Sequence, residues 1–379
     1  MEVAVRPGRP GARRREDGSI VFAGRLLSAL LLPAALAGCS PGYVLRAGWE
    51  EARILANRRP IADMLDDPSV DERTRAKLEL VVEARGFAAR RLDLDVGDSY
   101  TSYSDIGRDT LAFILSASPV DRLAAYIWSF PIVGRFPYKG FFSLEAARDA
   151  ARDLEARHYD TYIRPTSAFS TLGWFPDPLM STVLRQDSLG LVETVIHEVT
   201  HNTLFVSGQV KFNESFANFV GSVGAIEFYC RPGRGDRLCQ LAKGLWHDKR
   251  RMSEFLDGLW QELESLYAQD LPVERLIPRR RELLEGAARR FEEEFLPSMR
   301  THSWRGFDPR EINNAKLIAR HLYYHRLPLL QSLYESDGGD LKVTIQRVAR
   351  ATPTGPDPWA SIERLLAGEG ARQRSGDLQ

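Results

Sequence analysis

SLGLVETVIHEVTHNTLFV, residues 188–206, places two histidines four positions apart in an otherwise apolar run. Leu189, Leu191, Val192, Val195, Ile196, Val199, Leu204 and Phe205 surround them, a pattern that predicts a helix buried in the core. Residues four apart on a helix stack on one face, so His197 and His201 can turn both imidazoles toward one metal ion. Glu198 lies roughly 100° further round. It therefore stands clear of the histidine pair, placed to take a proton from an attacking water. Chance produces this H-E-x-x-H spacing in about one chain in a hundred of this histidine content. Burial of the helix would hold both rings rigidly, as a catalytic metal site requires.

A catalytic zinc takes three protein ligands and keeps one position open. Downstream, KFNESFAN (211–218) offers Asn213-Glu214 at the start of a second helix, with twelve residues between His201 and Glu214. Gly208 can turn the chain so that the two helices run antiparallel and Glu214 faces the histidines. A glutamate in the first turn of a helix is also favourable in its own right. The motif upstream tips the reading toward a ligand. Glu227 lies more than three turns beyond Glu214 and is no candidate. Asn213 and Asn218 could hydrogen-bond the ligands.

Around this segment the chain reads as one α+β body. Two helices are expected within 43–92, separated near Asp66-Asp67-Pro68. Strands are expected at 110–118, 124–133 and 158–165, with a helix at 143–157. From 188 onward the pattern is helical: 188–206, 213–229, 236–268, 272–296, 309–334 and 340–350. A small mixed sheet should therefore precede a predominantly helical body carrying the motif helix. The last residues, 366–379, read as a polar tail.

Residues 26–38, LLSALLLPAALAG, are too short to span a bilayer and follow six arginines. With Leu36-Ala37-Gly38-Cys39 they have the form of a lipoprotein leader whose Cys39 is lipidated, so residues 39–365 would form the exported domain. An acylated Cys39 would anchor the chain to a lipid bilayer. The cell envelope is the expected location, facing the periplasm, and Ser40 favours the outer membrane over the inner. The whole sequence balances 51 basic against 51 acidic residues. Without residues 1–38 the net charge becomes −3. Neither figure suits a nucleic-acid binder. Cys230 and Cys239 flank a Pro/Gly-rich loop that an oxidising compartment could close with a disulfide; two unpaired thiols are the other reading.

The pair HEVTH…NESFA resembles the gluzincin class of zinc metallopeptidases. Most of residues 43–345 resembles a bacterial lipoprotein family of zinc aminopeptidases. The stretches that carry this are YVLRAGWEEARILANRRPI (43–61), SYTSYSDIGRD (99–109), FPIVGRFPYKGFFSLEAA (130–147), SAFSTLGWFPDPLMST (167–182) and NNAKLIARHLYYHRLPLLQSLYESDGGDL (313–341). The resemblance implies a zincin-like fold, Zn2+ on His197, His201 and Glu214, and Glu198 as the proton carrier in peptide hydrolysis. It also implies an oxyanion donor from the segment HLYYHRLP, where Tyr323, Tyr324, His321 and His325 are the candidates. By analogy the strand before the motif helix, Ser170, Thr171, Leu172 and Gly173, would pair with the peptide substrate. Asp105, Asp109 and Asp177 are available to recognise a free amine. Well-known gluzincins place the final glutamate further from the second histidine than this chain does. An envelope endopeptidase or another metal-dependent amide hydrolase fits the same residues. A non-catalytic lipoprotein with a binding or scaffolding role has no need of Glu198.

Overall fold

The computed structural model describes residues 54, 56–130, 134–166, 178–352 and 357–376. The leader, Cys39, Asp177 and the substrate-strand candidates Ser170, Thr171, Leu172 and Gly173 lie outside these residues. Two units are distinguished. One comprises Met1–Glu51 with Ser129–Arg135; its described residues belong to the short strands β4 (Trp128–Phe130) and β5 (Gly134–Phe136). The other, Ala52–Trp128 with Phe136–Gln379, holds all that follows.

Its first half is α+β. Strand β1 (Arg58–Pro60) leads into helix α1 (Ile61–Asp66), and α2 (Glu72–Arg91) starts where the Asp71 carboxylate accepts the Thr74 N–H at 2.9 Å. The break between α1 and α2 falls at the expected aspartates. Residues 58–60 are a strand and not helix, because Pro60 lacks an N–H and pairing with β2 (Ser102–Ser104) claims the segment. β2 also pairs in parallel with β8 (Leu179–Met180), giving a small mixed sheet.

A second sheet is antiparallel, in the order β6 (Lys139–Phe141), β3 (Ala112–Pro119), β7 (Tyr159–Thr166). Helix α3 (Leu144–Glu155) covers it, burying Ala147, Ala151 and Leu154 against Leu115 and Ala117. The expected strand at 124–133 is a strand only from Trp128 among its described residues.

The second half is helical: α4 (Ser188–Thr203), α5 (Val210–Tyr229), α6 (Asp236–Tyr267) and α7 (Val273–Arg290), which continues through a π-turn, Phe291–Phe295, to a last turn at Leu296–Ser298. The sequence predicts a single helix over 309–334. The structure instead has a 3-10 turn at Pro309–Glu311, α8 (Asn314–Tyr324) and α9 (Leu327–Ser336). The split has a backbone cause: Arg326 takes a left-handed conformation at φ 54°, which no helix can contain. Pro328 then sits in the first turn of α9, where its missing N–H costs nothing. Helices α10 (Leu341–Ala351) and α11 (Pro358–Gly376) complete the chain, and α11 runs through most of the stretch read as a tail. Among the described residues no helix is long and apolar enough to cross a membrane.

The main core joins α2, α4 and α5 with α9 and α10: Leu78, Val81, Phe87, Leu191, Val195, Phe216, Val220, Phe228, Leu330 and Ile345 are all buried there. A second core, around Phe255, Leu259 and Phe291, fastens α6 to α7. Cys230 and Cys239 are bonded to each other, stapling the end of α5 to the start of α6.

Candidate metal centre

Helix α4 opens with the Asp187 carboxylate accepting the Gly190 N–H at 2.8 Å. Its apolar face, from Leu189 to Val199, is buried as expected. Helix α5 begins at Val210, three residues earlier than the expected 213, so Glu214 lies further inside it. Asn213 fixes the connecting loop. Its side chain accepts the Val206 N–H and donates to the Val206 carbonyl, both at 2.9 Å. Asn213 thus shapes the approach to Glu214 and leaves the ligand atoms themselves to their partners.

The two helices run antiparallel and very close. Ser222 meets Glu193 near the middle, and the Tyr229 hydroxyl donates to the Ser188 carbonyl at the far end. Gly221 and Gly224 permit this approach. A Cβ at 221 would stand 2.8 Å from the Glu193 carbonyl oxygen and 3.2 Å from the His197 Cβ. One at 224 would meet the Ile196 side chain at 3.0 Å. Backbone cannot yield as a flexible side chain can. Gly221→Ala is therefore expected to push the helices apart and destabilise the fold by about 1–3 kcal/mol. Metal affinity should fall with it. Thermal denaturation and zinc titration of the variant check this, and an unaltered melting temperature would refute the close-seam argument.

The seam brings three donors together. His197 Nε2 and His201 Nε2 are 3.3 Å apart. Glu214 places Oε2 at 3.5 Å from the first and Oε1 at 3.8 Å from the second. Ligands bound at roughly 2.0–2.2 Å from a tetrahedral zinc stand about 3.3–3.6 Å from one another. Glu214 accepts a hydrogen bond from His197, and a cation can take the place of that proton between the two groups. The residues present therefore fit zinc. Burial holds the His201 imidazole down to about 4, helped by its neighbour His197. For His197 burial pulls the same way, but the Glu214 hydrogen bond and the charges of Glu198 and Glu193 outweigh it and raise its pKa. Burial would raise Glu214; its contacts with the two histidines reverse that and keep it ionised.

Beneath the histidines a polar layer supports α4 and α5. Lys249 on α6 ion-pairs with Glu193 and donates to the Asn218 side-chain oxygen at 3.1 Å and to Ser222 at 3.0 Å. Asn218 in turn donates to the Tyr323 carbonyl at 2.7 Å, and Ser215 to the Leu322 carbonyl at 2.8 Å. These bonds fix the end of α8 against the glutamate-bearing helix. The Tyr323 ring consequently stands 6.4 Å from the His197 ring. Burial and the Glu214 charge raise its phenol, keeping it protonated.

The other three donor candidates go elsewhere. Tyr324 packs edge-on against Trp304. His321 and His325 gather on Asp257 of α6, with His321 Nε2 at 2.6 Å and His325 Nδ1 at 2.8 Å from Oδ1. His321 also stacks on Trp260 with ring centroids 4.4 Å apart. Asp105 turns back on the Gly107 N–H, and Asp109 pairs with Arg185. Lys249, Glu193, Asp257, Tyr138 and Arg164 were not suggested by the sequence. The last two feel the Glu214 charge or act on it. Glu193 lies one turn before His197 on the motif helix; the others stand outside any spaced motif and take their places through tertiary packing.

A family model described as "Putative aminopeptidase" matches residues 42–356. No curated protein and no solved structure matches this chain.

Proposed function

The chain belongs to the family described as "Putative aminopeptidase", and from that premise we propose that it is a zinc-dependent aminopeptidase of zincin-like fold. One observation carries the zinc part: donor atoms of His197, His201 and Glu214 all lie within 4.8 Å of one another. Bound there, zinc would supply Lewis acidity toward the attacking water and the scissile carbonyl.

The rest falls to the chain's own side chains. Glu198 follows His197 directly, and its charge acts on both His197 and Tyr323, which supports a place beside the proposed centre and outside the ligand set. In this reading it accepts the proton of the attacking water and returns it to the leaving amine. Tyr323, held protonated, donates its O–H to the oxygen on which negative charge develops. Asn218 and Ser215 position that tyrosine by holding the backbone of α8.

Chelator-treated protein should lose hydrolysis of a peptide with a free amino terminus and regain it with about one equivalent of Zn2+. The N-acetylated form of the same peptide should survive. Hydrolysis that persists without metal would discard the zinc mechanism. Equal cleavage of the acetylated peptide would replace the aminopeptidase reading with an endopeptidase.

A further inference from the structure

Beside Tyr323 lies a cavity of about 270 Å³, lined by Tyr162, Arg164, Asn218, Arg320, Tyr323 and Tyr324 among others. Two arginines line this small space, and among the described residues no carboxylate does. Arg320 lies over the rings of Trp304 and Phe307, at 5.8 and 5.2 Å, and its Nε is buried without a hydrogen-bond partner. Neither arginine forms an ion pair among the described residues. Two positive charges bordering one space favour an anion between them.

The walls are fixed. On β7, Arg164 and Tyr162 are two residues apart and so share a face of the strand. Asp160, near the start of that strand, accepts from Arg280 at 2.7 Å and from the Asn314 N–H of α8 at 2.9 Å. The Asn313 side chain donates to the Thr161 carbonyl at 2.9 Å. The strand carrying Arg164 and the helix carrying Arg320 are therefore tied together. The cavity also adjoins the proposed metal centre: Asn218 lies one turn beyond Glu214 on α5, and the Tyr323 ring, which lines the cavity, stands 6.4 Å from the His197 ring.

We propose that this cavity binds a carboxylate of the substrate, which makes the preferred substrates short peptides with an anionic group close to the scissile bond. The proposal rests on the peptidase reading above. The carboxylate could be the C-terminus of a short peptide or an acidic side chain.

Three tripeptides of common sequence decide the matter: one with a free C-terminus, one amidated, and one amidated with glutamate as its last residue. Charge-assisted hydrogen bonds to arginine should give the free acid about 10-fold or more higher kcat/KM than the amide. The glutamate amide matches the free acid if a side chain can supply the anion, and matches the plain amide if only the terminus can. Arg164→Gln should collapse the preference toward unity, and Arg320→Lys, which keeps charge and stacking but loses the fork, should reduce it. Melting temperatures confirm that both variants fold. Calorimetric binding of the acid and amide to wild-type protein separates the two readings. Absent turnover with preferential acid binding refutes the peptidase and keeps the cavity. Equal turnover and equal binding of acid and amide overturn the cavity assignment.

Discussion

Replacing Glu198 with glutamine is expected, on the proposed zinc mechanism, to lower kcat by about 10²–10⁴-fold, the usual contribution of a positioned proton carrier, with metal binding unchanged. Glutamine has nearly the same volume as glutamate, so the partly exposed side chain on α4 can be replaced without disturbing Val195 or Val199 in the core. The amide cannot accept a proton from water at neutral pH. Because His197, His201 and Glu214 are untouched, metal analysis of the variant should match wild type. Activity lost together with metal would mean that Glu198 is structural. Activity retained would mean that another group carries the proton, and the proposed chemistry would fail.

Asp257→Ala should have the largest effect on stability, about 2–4 kcal/mol. Its carboxylate meets both His321 and His325, and Oδ2 accepts the Arg326 N–H at 3.1 Å. The last of these holds the left-handed residue that divides α8 from α9. Asp257 remains 24% exposed, so water softens the loss below that of a fully buried pair. Denaturant unfolding at pH 7 measures it, and a loss under about 0.5 kcal/mol would rule this role out.

The pH dependence has a defined sign. Burial would raise the Asp257 carboxyl, but the two histidine hydrogen bonds outweigh it and hold it well below the usual carboxylate range. A depressed folded-state pKa means that stability is present above the unfolded value of about 4 and is lost as pH falls from there. Burial also lowers His321 to about 4, so its contribution, complete above about 6.5, fades as pH falls toward 4. Wild type should thus lose stability on acidification. The gap between wild type and Asp257→Asn should narrow below about pH 4.

The motif helix and its glutamate partner were legible because both announce themselves locally. A long apolar face frames His197 and His201, and one short loop separates them from Glu214. The helices from 188 to 268 were legible for the same reason. The pieces β1, β2 and β8 were not, since strands of two or three residues are too short to show alternation. The break at Arg326 was hidden by the apolar spacing of HLYYHRLPLL, which continues through it; its support comes from Asp257, 69 residues earlier. His321 and His325 were found as chemistry-bearing residues, but their partner was equally remote. The helix beyond Pro358 was masked by its polar, glycine-containing sequence, although its alanine, arginine and glutamine residues are sound helix formers.

The glycine seam between α4 and α5 also bears on how freely this chain can change over time. Glu214 reaches the histidines because Gly221 and Gly224 set the distance between two rigid rods. Apart from the Asn213 clamp on Val206, the connecting loop contributes little to that distance. Substitutions at exposed Phe205 can therefore accumulate with little consequence for His197, His201 and Glu214. A single added methyl at Gly221 cannot. Descendants of this sequence should show their constraint two turns along the helix from Glu214, at a residue with no functional group at all.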